Sequence, residues 1–303
     1  MTTLYSSVIK LTNLQPVTLL GDGGQHAHGA FHAIIAKVDP ALATKLHEVK
    51  GRKPFTLSPL MGLPKILHHE GRPSTSASTS SARRLRAGSV HEGRIKDEAY
   101  LREGWQYWLR VTILDDALFK TFIDYFMNVN GRKLPEIRLG DAHFLVSEIL
   151  TTPGSHPWAG YTSIEDLQKK LDQPVPEKFK FELFTVTSFR LQDKNIEMMP
   201  KPKHVFGNLA GAWRQLTGEN YVQVLEEYAE KHLVMGNYQL KTRKTMLHNT
   251  LQLGAVGQVE FIRKDKDDSP AARALNLLAD LAFYTGLGRK TAQGMGMCSR
   301  MVG

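Results

Sequence analysis

One order of secondary-structure signals occurs twice along the chain, and that repetition limits the fold more than any single motif does. In the first half, apolar periodicity predicts a strand over 7–14, helices over 28–37 and 40–48, and strands over 55–60 and 105–114; a helix over 116–128 and a strand over 136–150 follow. Asp39 before Pro40 offers an N-cap followed by a proline at the first helical position. The second half repeats the order: a strand over 179–191, helices over 204–216 and 222–231, a hairpin of 237–247 with 252–263, and a last helix over 270–284. Each half is thus a βαββαβ unit, the pattern of a ferredoxin-like (RRM-like) module. The expected fold is α+β, with two tandem modules carrying four-stranded antiparallel sheets, at 1–152 and 177–303, and a linker region over 153–176.

Composition narrows the partner. The chain of 303 residues carries 39 Lys and Arg against 30 Asp and Glu, a net charge of +9, which favours a polyanion over an acidic small molecule. A single cysteine, Cys298, excludes a disulfide framework and cysteine-based metal sites. No run approaches the ~18 apolar residues of a membrane span, so a cytoplasmic protein without membrane contact is expected. Residues 71–97 are rich in Ser, Arg and Gly and poor in large apolar side chains, so they read as an exposed insertion between strands. Its Arg83, Arg84, Arg86 and Arg94 are either solvated or in contact with nucleic acid.

A basic glycine-rich tract, 286–297, follows the last helix: Gly286, Gly288, Gly294 and Gly296 surround Arg289 and Lys290. Glycines permit φ > 0 and close approach of backbone N–H groups to an anion, and the two cations add charge. Dinucleotide and Walker loops instead precede their helix, and Arg289 interrupts any Gly-Lys-Thr core, so order along the chain argues against mononucleotide binding.

Two groups of histidines offer acid–base chemistry. His26, His28 and His32 surround the start of the first helix, with His28 and His32 four residues apart and on one face. No acidic residue joins them at ligand spacing, so a helix surface outweighs a metal site. His47 ends the helix begun at Pro40 and is followed by Lys50, Arg52 and Lys53. The helix dipole favours its protonated form and the nearby cations oppose it, a balance suited to proton transfer.

The segment from Asp39 through Leu46-His47-Glu48 to Thr56, together with the glycine-rich tract, resembles the CRISPR repeat-processing endoribonucleases of the RAMP superfamily, and the resemblance covers the whole chain. It implies metal-independent, cofactor-free cleavage of precursor CRISPR RNA by transesterification, leaving 2′,3′-cyclic phosphate and 5′-hydroxyl ends. Archaeal members use a histidine in the Leu-His-Glu segment, a following lysine and a first-helix tyrosine; these positions hold His47, Lys53 and His32 here. The resemblance therefore implies that His47 and His32 divide the proton transfers, in an order left open, and that Lys53 stabilises charge on the phosphate. It also implies RNA binding by Gly286, Gly288, Arg289, Lys290, Gly294 and Gly296, and by the hairpin residues Lys241, Arg243 and Lys244. The implied partner is CRISPR repeat RNA or precursor crRNA; other effector subunits and a homodimer stay open. The alternative, a non-catalytic RNA-binding RAMP subunit of an effector complex, has no need of paired imidazoles beside a cation.

Overall fold

The computed structural model describes residues 2–63, 98–127, 135–191, 193 and 195–301. The expected insertion at 71–97, with its four arginines, lies outside the described residues.

The first half runs β1 (Thr3–Asn13), β2 (Val17–Leu20), α1 (Gly24–Val38), α2 (Pro40–Glu48), β3 (Phe55–Leu57), β4 (Glu98–Leu101) and β5 (Gln106–Ile113). It continues with α3 (Asp116–Met127), β6 (Glu136–Leu139), β7 (Ala142–Leu150), β8 (Gly160–Ser163) and α4 (Ile164–Gln168). The second half runs β9 (Lys178–Thr187), β10 (Phe189–Arg190), β11 (Ile196–Glu197), α5 (Pro202–Thr217), α6 (Val222–His232), β12 (Leu233–Leu247), β13 (Thr250–Arg263), α7 (Pro270–Thr285) and β14 (Cys298–Met301).

The two sheets have equivalent antiparallel cores, β3-β5-β1-β7 and β12-β13-β9-β14, so the tandem ferredoxin-like architecture is present. The first sheet is larger than the four strands expected. Its predicted last strand breaks at Gly140, whose φ of +62° turns the chain into a β6–β7 hairpin. Within 153–176, β8 pairs with residues 3–6 of β1 where β7 has diverged, and Leu167 of α4 enters the core of the second module.

On α1, Ala27, Phe31, Ile34 and Ile35 are buried against the first sheet. That helical stripe fixes its rotation and carries His28 and His32 on the flank facing α2. The helix starts a turn before its predicted first residue, with Gly23 as an αL N-cap and the Asp22 carboxylate accepting from the Gly24 amide at 3.0 Å. The N-terminus of α2 follows its sequence signal: the Asp39 side chain accepts from the Leu42 amide at 2.9 Å.

The modules interlock. Val8 and Trp108 of the first sheet pack with Trp158, Phe184, Phe283 and Met297. Between them Arg110 is buried, donating to Ser6 Oγ at 2.8 Å and to the Phe283 carbonyl, with its guanidinium 4.2 Å from the Phe283 ring centroid. Burial pushes this guanidinium down to about 9. Ala292, from the C-terminal glycine-rich tract, belongs to the core of the first module.

Candidate active site at the module junction

Helices α1 and α2 bring three imidazoles together. The ring centroids of His28 and His32 lie 4.7 Å apart and those of His32 and His47 5.9 Å apart, both edge to face. Phe55, on β3, lies 5.8 Å from His28 and 5.7 Å from His32 and forms the apolar floor.

The three rings are not equivalent. His28 Nδ1 is 2.9 Å from the Ala292 carbonyl. A carbonyl only accepts, so Nδ1 carries the proton and Nε2 of the neutral ring is left as an acceptor. His32 Nε2 is buried without a hydrogen-bond partner. Burial pushes His32 down to about 4, helped by the positive charge of His28, His47 and Lys53 when these are protonated. Burial also lowers His28, with the Ala292 bond opposing the shift. Both rings are therefore neutral at neutral pH. His47 sits exposed in the last turn of α2, beside the buried Leu46.

Lys53 stands near this cluster, with its ammonium turned to the helix end. Its Nζ donates to the carbonyls of Leu46, His47 and Val49 at 2.6, 3.0 and 2.8 Å. These include orphan acceptors of the C-terminus of α2, so Lys53 caps the helix that presents His47. All three of its donors are engaged.

The glycine-rich tract closes the junction from the other module. Gly286, Gly288, Gly294 and Gly296 have φ of +65°, +83°, +95° and +74° and are buried. A Cβ on Gly288 would lie 2.3 Å from the Ser188 carbonyl oxygen, and one on Gly294 2.8 Å from the Gly24 Cα. These glycines accommodate backbone against backbone within the protein. Between them Arg289 bonds the Gln252 side chain, while Arg289 and Lys290 are half-buried and lowered by desolvation.

Two residues that the sequence reading does not place in the site tie the tract to α2. Arg52, in the connection from His47 to Lys53, donates to the Asn208 side chain at 2.9 Å and to the carbonyls of Asn208 and Thr285 at 3.2 Å. Asn208 in turn accepts from the Gly288 amide at 2.9 Å. Burial pushes Arg52 down to about 10. Its neighbours Lys50 and Gly51 line, with Gly207, Gly211 and Arg214 of α5, an open cavity of about 620 Å³.

The hairpin β12–β13 reaches the same region. Lys241, Arg243 and Lys244 are exposed on β12. Its turn, His248-Asn249, has φ of 49° and 58° and rests on the start of α1: the His248 amide donates to Gln25 Oε1 at 2.5 Å and Thr245 donates to Asp22 at 2.6 Å. Among the described residues, no group of three or more His, Cys, Asp or Glu is arranged to hold a metal ion, and no helix is long and apolar enough to cross a membrane.

Two tandem ferredoxin-like modules are the architecture of RAMP-type proteins. The chain belongs to the Cas6 family: the CRISPR Cas6 N-terminal domain matches residues 3–169, and the CRISPR-associated endoribonuclease Cas6 matches residues 181–298. The family is one of RNA-cleaving enzymes. The chain is similar to Cas6 (TTHB231) in a product complex, with 26% identity and a TM-score of 0.72 over 99% of this chain and 100% of that one. Thermus thermophilus Cas6 (TTHB231) gives 25% identity and 0.69 over 99% of both. Cas6 (TTHA0078) in a product complex shares the fold, at 20% identity and 0.69 over 99% of this chain and 100% of that one. Comparison with curated proteins gives no match.

Proposed function

We propose that this protein binds CRISPR repeat RNA and cleaves precursor CRISPR RNA within the repeat by metal-independent transesterification. The observation that carries the reading is the convergence of three imidazoles, with His32 4.7 Å from His28 and 5.9 Å from His47 between ring centroids, and with His28 and His32 neutral. A ribose 2′-hydroxyl gives its proton to an imidazole and attacks the adjacent phosphorus. The bond to the 5′-oxygen breaks, and that oxygen takes a proton from an imidazolium. The products are a 2′,3′-cyclic phosphate and a 5′-hydroxyl.

Access and protonation divide the roles. His28 presents a neutral Nε2 acceptor and suits the base, while exposed His47 suits the acid. His32, assigned one of these roles by resemblance, has its Nε2 buried and sits between the other two rings. It packs edge to face between them and against Phe55. Lys53 acts through α2, holding the helix end that carries His47. RNA phosphates fall to Arg289, Lys290, Lys241, Arg243 and Lys244, which suits an A-form stem that offers its backbone more readily than its base edges. The test is cleavage of a repeat RNA in EDTA with analysis of the new ends. A cyclic phosphate supports the reading; cleavage abolished by EDTA, or persisting after 2′-deoxy substitution at the cut, overturns it.

A further inference from the structure

The proposed base does not stand on its own module alone. His28 is oriented by the Ala292 carbonyl, 264 residues further along the chain and in the opposite module. That carbonyl belongs to the short turn Thr291–Gln293, which packs on α1 and β3 and sends Ala292 into the first core. The approach is closer than any side chain permits. A Cβ on Gly24 would sit 2.3 Å from the Gln293 carbonyl oxygen, and one on Gly294 would sit 2.8 Å from the Gly24 Cα. The far end of the same tract is fastened through Gly288 and Asn208 to Arg52, in the connection that follows His47. One loop thus fixes both histidine-bearing helices.

We infer that the glycine-rich tract is a positioning element for cleavage: through the Gly24–Gly294 contact it delivers the Ala292 carbonyl to His28, holding the ring's orientation and its Nδ1–H tautomer. This inference rests on the site reading above and assigns the tract a task besides RNA binding. Free histidine prefers the Nε2–H tautomer, in which the nitrogen needed as an acceptor already carries the proton. A bond at Nδ1 reverses that preference. The other groups facing His28 are His32 on its own helix, His47 on α2, Lys53 before β3 and His248 at the hairpin turn. None of these groups is an anion, and the hydrogen bond at His28 Nδ1 goes to the Ala292 carbonyl.

The experiment compares Gly24→Ala and Gly294→Ala with wild type, which push on the contact from its two sides. Single-turnover cleavage at saturating repeat RNA, RNA Kd and the ¹⁵N resonances of the His28 ring are measured for each. A displaced ring is expected to lower the cleavage rate on the order of 10²-fold, with Kd unchanged and the Nδ1–H signal lost. A rise in Kd with the saturated rate and the Nδ1–H signal intact overturns the inference, since the tract then acts on RNA alone. Loss of the signal with cleavage at the wild-type rate overturns it as well. If either alanine variant fails to fold, a semisynthetic chain decides: entering position 293 as its α-hydroxy acid converts the Ala292 carbonyl to an ester, a weaker acceptor, without changing a side chain. The hydrogen bond from the Gln293 N–H to the Lys290 carbonyl is lost in that chain, so a second chain with position 291 entered as its α-hydroxy acid, which weakens the same carbonyl as an acceptor, serves as its control. His28→Ala is run in parallel. Wild-type cleavage by that variant sinks the site reading itself, whereas the ring resonances still report whether the loop holds His28.

Discussion

Replacing His32 by Phe should leave a signature in the pH dependence of stability. The imidazole has an ordinary value of 6.5 and is held at about 4 in the folded chain. Because the folded value is the lower one, the unfolded chain binds the proton first as pH falls. The neutral ring's contribution is therefore complete above 6.5 and is lost as pH drops towards 4. Integrating between those two values, the wild type loses roughly 2 kcal/mol on going from about pH 8 to about pH 5 through this group. Partial solvent access brings the expected figure to about 1–2 kcal/mol. Phenylalanine keeps the edge-to-face contacts with Phe31 and Phe55 and does not titrate. It also removes a buried nitrogen with no partner, so at high pH the variant should be as stable as wild type or slightly more so. Urea denaturation of both proteins at the two pH values isolates the effect as a difference of differences, cancelling the titrating groups that do not interact with His32. Parallel loss of stability in the two proteins would refute the reasoning, since His32 would then protonate alike in the folded and unfolded chains.

His28→Ala and His47→Ala should each slow single-turnover cleavage by about 10²–10⁴ while binding repeat RNA normally; an unchanged rate in either removes it from the chemistry. Arg289→Ala with Lys290→Ala should weaken binding and lower the slope of log K against log salt by about 1.8, two phosphates at ~0.9 each for a duplex stem; the same slope in variant and wild type would free both cations from the RNA. Arg52→Met removes three charge-assisted hydrogen bonds, to the Asn208 side chain and to the carbonyls of Asn208 and Thr285, so denaturation should show a loss of roughly 2–4 kcal/mol; a loss below about 1 kcal/mol would mean water replaces the guanidinium there.

Local signals in the sequence carried the fold as far as they reached. The Asp39-Pro40 start of α2 and the periodicity of α7 depend on neighbours within a few residues, and both stand in the structure where the pattern puts them. The misses have a common physical form. Residues 136–150 alternate apolar and polar on both sides of Gly140, so only the positive φ at that glycine separates β6 from β7. In β8, Gly-Tyr-Thr-Ser, only Tyr161 and Thr162 favour a strand, too short a run to signal one; pairing with β1 makes it a strand. The start of α1 is capped by a left-handed glycine with no side-chain hydrogen bond, a weaker signal than Ser, Thr, Asp or Asn.

The site was legible only in part, and the glycine tract shows why. Spacing reveals that the backbone comes close to something, and a phosphate and another backbone ask for the same glycines. The structure separates the two through the amides. Gly286 N–H donates to Ala282, Leu287 to Gly296, Gly288 to Asn208, Arg289 to Ser188 and Gly296 to Val186. An anion nest needs such N–H groups free and pointing outward, and these five are already engaged within the protein. On the proposed reading, contact with RNA phosphate at this tract falls to the side chains of Arg289 and Lys290, while the backbone after them reaches the other way, into the histidine-bearing module. Nothing local in the sequence encodes that direction, because the partners, Gly24 and His28, lie at the opposite end of the chain.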